Sequence, residues 1–376
     1  MMTDTRLLCV AVATLVTIGC ASGTGTTAGN IGGAAAPAPA TPTTGASRAP
    51  GTWRVTTMEH IDLWLHGYAL LTSDTGHVPF FARGYKQRVT AAKRQRNIFT
   101  QLDANQKELS SRFATNPGLA NGQFVAMYFG SFQEIVNATD YFIRANGDPR
   151  AAQDPQIQQQ IALLAATFRT QADRNWLRLF VQSLQDESTR FFHGYWTGEQ
   201  QARGAAFGAF QQQWMSQYYP KLSRFLNNTQ QAAGQVVLSV TLGGEGRTIN
   251  DGKQSNLIAV EFPTTIEAAP EALFGFVHEA VATLAQEAIA DNTTAAQQRS
   301  GETGGYTGNA AVRGGAILLQ RVAPDLVPAY MRFYLRTLSD NVPAGDPSSA
   351  FAATFALPAP IVDAIKKQIE IVMGGI

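Results

Sequence analysis

The stretch Pro270–Asp291, PEALFGFVHEAVATLAQEAIAD, decides how the chain is read. Phe274, Val281, Ala282 and Ala285 share a helix face with His278, while Glu279, Thr283, Gln286 and Glu287 form a polar stripe beside it. The spacing predicts one amphipathic helix carrying an adjacent His-Glu pair. Immediately upstream the period changes. Val236, Leu238, Val240 and Leu242 alternate with Val237, Ser239 and Thr241, and Asn256–Phe262 (NLIAVEF) is a second apolar run of strand length. The intervening Gly243-Gly244-Glu245-Gly246 reads as a turn, so a small β-hairpin or sheet is expected ahead of the helix. That turn lacks a Gly-Lys-Ser/Thr ending and feeds no helix, which excludes a phosphate-binding loop.

Working outward, the helix is followed by a polar loop, Asn292–Gly308. Helices are expected around Ala310–Arg321 and Pro324–Leu338, and a last amphipathic one within Pro358–Met373. In the other direction, Trp53 to about Thr229 is patterned for helices throughout. Asn116-Pro117-Gly118, Asn146-Gly147-Asp148-Pro149 and Asp154-Pro155 supply the breaks. The expected fold class is α+β, predominantly α: a helical domain over residues 51–230, then an α+β domain over 231–376.

The amino terminus has a different character. Arg6 precedes the apolar run Leu7–Gly19, which is short for a bilayer span and has the flanks of an export signal. Its end, Thr17-Ile18-Gly19-Cys20, resembles a bacterial lipobox. The resemblance implies a signal peptide over residues 1–19 and a lipid anchor on Cys20, the one cysteine left in the mature chain because Cys9 lies inside the signal. Residues 20–50 are nearly all Ala, Gly, Thr, Ser and Pro, a composition that cannot offset the entropy of ordering. As a flexible tether they span roughly 30 Å root-mean-square, so the folded body need not touch lipid. Ala21 stands where an inner-membrane retention Asp occurs in Gram-negative lipoproteins; that resemblance implies an exported protein anchored in the outer membrane and facing the periplasm.

Chain-wide numbers bound the function. The 376 residues are 45% hydrophobic, with a formal net charge of +1. Acids and bases are interspersed with no basic stripe, so nucleic acid is not an expected partner. No Gly-x-Ser-x-Gly elbow is present. The aromatic residues around Phe191–Trp196 and Trp214–Tyr219 read as core.

The order strand, strand, His-Glu helix, loop, helix resembles the core of zincin-type zinc metallopeptidases, of the glutamate-zincin subgroup, over roughly Gln235–Arg321. The family motif is His-Glu-x-x-His on one helix: two imidazoles hold the metal and the glutamate activates its water. The resemblance also implies a strand that takes up extended peptide and a third-ligand glutamate on the next helix. This chain keeps His278 and Glu279 but has Ala282 at the second histidine, and Arg313 or Gly314 where the third ligand would fall. Alanine has no lone pair, and a guanidinium repels a dication. A complete zinc site is therefore not expected, and no cofactor is implied. Arg313 is then the expected cation for a buried Glu279.

Three functions follow as expectations. The first is a lipid-anchored envelope protein whose peptidase-like domain binds an extended peptide or another envelope protein, at the strand Asn256–Phe262. The second is an active hydrolase in which His278 and Glu279 form an acid–base pair, or in which His60, His66, His77 or His193 completes a metal site. Asp62 and His66, four apart on one helix, are a candidate ligand pair for it. The third is a purely structural helical lipoprotein.

Overall fold

In the computed structural model, residues 52–72, 78–251, 255–301, 303–339, 342 and 344–374 are described. The signal segment, Cys20, the tether and His77 lie outside the described residues. The fold is α+β and dominated by helices. Its organising element is a four-stranded sheet in the order β1-β2-β4-β3. The strands are β1 (Trp53–Thr56), β2 (Gly234–Ser239), β3 (Arg247–Asp251) and β4 (Ser255–Glu261).

Strands β1, β2 and β4 are mutually parallel, with Val55 opposite Val236 and Val236 opposite Ile258. Strand β3 runs antiparallel to β4, with Thr248 opposite Ile258. The expected hairpin between the two apolar runs is thus replaced by a parallel pair. Their connection folds back to give β3, and the hairpin is β3–β4. The reason is burial: Val236, Val237, Leu238, Ile258, Ala259 and Val260 are all buried. A strand covered on both faces reads as a continuous apolar run and belongs in the middle of a sheet. As a consequence β4 is hydrogen-bonded on both sides, so Asn256–Phe262 has no free edge to offer a peptide.

The two-residue period of the strands divides the interior. Val236, Leu238, Ile258 and Val260 point into a core shared with the carboxyl-terminal helices. Val237, Ala259 and Ile249 point into a second core built from the amino-terminal helices. The sheet is the wall between them. Strand β1 and two helices that precede residue 231 contribute Trp53, Phe210, Trp214, Leu222 and Phe225 to the first of these cores.

The amino-terminal body holds α1 (Glu59–Leu71), α2 (Tyr85–Gln95), α3 (Gln101–Thr115), α4 (Phe132–Arg144), α5 (Pro155–Thr167) and α6 (Gln171–Glu187). Residues Pro117–Tyr128, expected to be α-helical in part, form a 3-10 segment. Capping boxes start α3 (Thr100 with Asp103) and α6 (Thr170 with Asp173), each satisfying donors that a helix start leaves orphaned. Helix α6 passes through a π-helical turn, Ser188–Phe192, into α7 (His193–Ala202). Helix α8 (Gly204–Gln213) passes through another, Trp214–Tyr218, into α9 (Tyr219–Asn228).

The carboxyl-terminal helices are α10 (Glu271–Asp291), α11 (Ala295–Arg299), α12 (Gly304–Val322), α13 (Val327–Leu338), α14 (Ser348–Thr354) and α15 (Ala359–Val372). Helix α10 crosses β4 at Gly275, where a Cβ would lie 3.2 Å from Val260. A methyl group there would require Val260 or the helix to give by a few tenths of an ångström. Among the described residues no single helix is long and apolar enough to cross a membrane.

Candidate functional site

Helix α10 delivers the His278-Glu279 pair to the space between the sheet and α13. His278 is 5% exposed. Its Nδ1 lies 3.0 Å from Glu279 Oε1. The second carboxylate oxygen, Oε2, accepts from Thr248 Oγ1 on β3 at 2.6 Å. Glu279 therefore faces the antiparallel edge strand rather than solvent. Gly246 makes this possible, because a Cβ there would sit 2.7 Å from Glu279 Cγ and 2.7 Å from the Ala259 carbonyl oxygen.

Burial pushes the Glu279 carboxyl upward. That effect is outweighed by the His278 hydrogen bond and charge, the Thr248 hydroxyl and the Arg247 charge, and the carboxyl titrates below its ordinary value. An ionised carboxylate can only accept, so His278 Nδ1 carries the proton of this bond. The other ring nitrogen, Nε2, is buried and has no hydrogen-bond partner. Tyr334 of α13 stacks on the imidazole with ring centroids 5.7 Å apart, and its hydroxyl is 3.2 Å from the Gly244 carbonyl oxygen.

The expected pairing of Glu279 with Arg313 does not form. The Arg313 guanidinium lies over the Phe351 ring, 5.9 Å from its centroid, and burial lowers its pKa. The cation on the Glu279 side is Arg247, one residue before Thr248 on β3. Its guanidinium sits 3.3 Å from the centroid of Phe80 and bonds Glu245 at 2.8 Å and Gln123 at 3.2 Å. Gly314 packs against α10 itself: a Cβ there would be 3.1 Å from Val281 Cγ2. A glutamate at that position would run into the helix.

The other histidines are held elsewhere. His60 Nε2 is 2.8 Å from the Phe129 carbonyl oxygen, and burial lowers its pKa. His193 Nδ1 is 3.0 Å from Glu59 Oε1 at the surface. His66 Nε2 is 3.0 Å from Glu187 Oε1, and its Nδ1 is 2.9 Å from the Tyr85 hydroxyl. Asp62, its candidate co-ligand, turns to the sheet instead. It accepts from the Ser239 hydroxyl and from Trp196 Nε1, the latter at 2.8 Å. Among the described residues no group of three or more His, Cys, Asp or Glu side chains is arranged to hold a metal ion. The donor set around His278 thus does not fit a zinc ion, which needs three or four protein ligands.

Two features escaped the sequence reading. One is Thr248 and Arg247 on β3, whose sequence RTIND has no apolar alternation to mark a strand. The other is a buried polar cluster centred on Glu187, which Lys93 Nζ approaches at 2.8 Å and to which the Thr100 hydroxyl also donates. Lys93 reaches Asp103 as well, at 2.6 Å. A visible signal existed for this cluster: Tyr85, Val89 and Lys93 fall four apart on one face of α2, which placed a lysine on an otherwise buried stripe. Comparison with family models, with curated proteins and with solved structures returns no match.

Proposed function

We propose that the protein is a lipid-anchored cell-envelope protein whose carboxyl-terminal half is a zincin-like scaffold without a complete zinc site, used to bind rather than to cleave. The observation that carries this is the fate of the His-Glu pair. Helix α10 lies against an antiparallel edge strand, β3, and Glu279 hydrogen-bonds that strand through Thr248. The metal-ligand positions hold an alanine, a guanidinium on a phenyl ring and a glycine packed into α10. With β4 paired on both sides, β1 and β3 end the sheet, and β3 is the edge strand that Glu279 bonds; we place an extended peptide segment there, by strand addition. The anchor on Cys20 and the tether put this body in the envelope.

A second reading is supported by one observation. With Nδ1–H given to Glu279, His278 has the orientation of an imidazole base held by a carboxylate, and its Nε2 is without a partner. Metal analysis of the purified protein and peptidase assays with and without added zinc separate the readings. The binding role predicts no stoichiometric zinc and no hydrolysis that His278→Ala abolishes. Stoichiometric zinc lost on that substitution refutes it. Hydrolysis that persists in chelator and disappears with His278→Ala selects the metal-free base.

A further inference from the structure

The near-neutral charge of the whole chain conceals one concentrated region. Between Arg83 and Arg96 there are six cations, Arg83, Lys86, Arg88, Lys93, Arg94 and Arg96, and no carboxylate. The sequence reading of interspersed charges missed it because the rest of the chain compensates. Folding buries Lys93, which Glu187 and Asp103 neutralise, and leaves the other five exposed on and beside α2. Lys86 and Arg88 donate to backbone carbonyls, those of Leu70 at 2.6 Å and Arg83 at 2.5 Å; Arg88 also bonds Tyr195, and the Arg96 guanidinium lies over the Phe191 ring. Shortly after the helix the chain presents Phe99, 64% exposed and, among the described residues, the most exposed of the large apolar side chains.

Exposed cations along α2, with a protruding aromatic ring just beyond its carboxyl-terminal end, match a membrane interface. The cations meet lipid phosphates, and the ring enters the boundary between headgroups and acyl chains. A soluble polyanion would use the charges and leave the ring with no role. We propose that α2 and the following turn form an electrostatic docking face for an anionic phospholipid surface, with Phe99 as its apolar insertion. This rests on the envelope reading given above, which puts a bilayer within reach of the tether. A polybasic face adds a second attachment to the one that a lipid anchor supplies. The face would therefore hold the body flat on the leaflet instead of letting it swing on its tether.

The test uses the mature chain from Ala21 onward, so that neither an acyl group nor the apolar segment Leu7–Gly19 contributes. Co-sedimentation is measured with phosphatidylcholine vesicles with and without phosphatidylglycerol, at low and high salt. Binding is expected only with phosphatidylglycerol and is expected to fall with salt. Each cation removed should weaken it about fivefold, so Arg83→Gln/Arg94→Gln/Arg96→Gln together should cost about a hundredfold. Phe99→Ser should cost roughly tenfold. An unchanged unfolding midpoint shows that the variants fold. Equal binding to both vesicle types, or a triple variant that binds as tightly as the parent, overturns the proposal. So does binding to a soluble polyanion as tight as to the vesicles with no effect of Phe99→Ser, which would assign the face to a soluble anionic partner. Because the acyl anchor is absent from this assay, failure here leaves the Cys20 reading standing. That reading is tested separately, by the mass of the protein isolated from its native membrane.

Discussion

Asp62 gives the sharpest quantitative expectation. Its carboxyl group has no exposed surface. Four donors face it: the Ser239 hydroxyl, the Trp196 indole and the backbone N–H groups of Val240 and Thr241, and no cation is among them. Burial pushes its pKa up to about 6 from an ordinary 3.8, and the four donors only partly offset this. The shift of roughly two units corresponds to about 3 kcal/mol at 1.36 kcal/mol per unit. The sign follows from proton linkage. Between pH 4 and 6 the folded state holds this proton and the unfolded chain has released it. Protonation of Asp62 therefore stabilises the fold fully below about pH 4, and the gain is lost as pH rises through about 6.

Other groups titrate in the opposite sense, so the test is a difference. Wild type and Asp62→Asn are unfolded with urea at several pH values between about 4 and 7, at constant ionic strength. Contributions from Glu187, Asp173 and every other group cancel as long as the variant leaves them undisturbed. The asparagine amide is a permanent donor on one side and weakens the site at all pH values, by about 1–3 kcal/mol for an unmatched polar group. The informative quantity is the change in that gap. It should be larger near pH 4 than near pH 7 by about 3 kcal/mol. Parallel stability curves would show that the carboxyl is already solvated in the folded protein, and the account of its burial would be wrong.

Glu187 behaves in the reverse way. Burial alone would raise its pKa, but His66 and Lys93 together bring it down to about 2, so its contribution is present above about 4.5 and lost as pH falls through 2. Glu187→Gln leaves Lys93 buried with a poorer partner and should cost about 3–5 kcal/mol in urea unfolding at neutral pH; a loss below 1 kcal/mol would mean that the cluster is wet. Gly246→Ala should destabilise by about 1–3 kcal/mol through its collision with Glu279 and the Ala259 carbonyl. Thermal melts report that loss, and Thr248→Val combined with it should be less than additive because both act on the same carboxylate.

How much of this was legible depends on how far apart in sequence the partners lie. Helix α10 and strand β4 announce themselves because their burial is written in local periodicity: PEALFGFVHEAV for one, NLIAVEF for the other. Strands β1 and β3 do not. Trp53–Thr56 is four residues long and pairs with Gly234–Val237, far along the chain, so nothing local marks it. Arg247–Asp251 is polar and sits at the edge of the sheet, and its one buried apolar side chain is Ile249. Hence the sequence showed a turn between two strands where the protein makes a parallel pair and a third strand. The same limit applies to charge. Residue spacing placed Asp62 and His66 on one helix face, but their partners come from β2, α2, α6 and α7, and these draw the two side chains in different directions. Spacing on a helix sets which residues are neighbours and leaves open which neighbour each polar atom will choose.

The buried carboxylates divide by how far their partners offset burial, and this bears on the His278 site. Glu187 faces Lys93 and His66, Asp173 faces Arg112, and Glu279 faces His278 and Arg247; all three titrate below their ordinary values. Asp62 meets only neutral donors, and at Glu261 burial and then the Glu271 charge outweigh Arg203 and Arg88; both are raised, Glu261 to about 7. Glu271 is raised by burial as well, although Arg336 lies 2.7 Å away, so the balance is struck group by group. Glu279 titrates low against its burial because His278 lies on one oxygen, Thr248 on the other, and β3 brings the Arg247 charge alongside. That carboxylate accepts from His278 Nδ1–H, and Nε2 is the ring nitrogen without a hydrogen-bond partner. The edge strand thus orients the imidazole through the carboxylate that it holds.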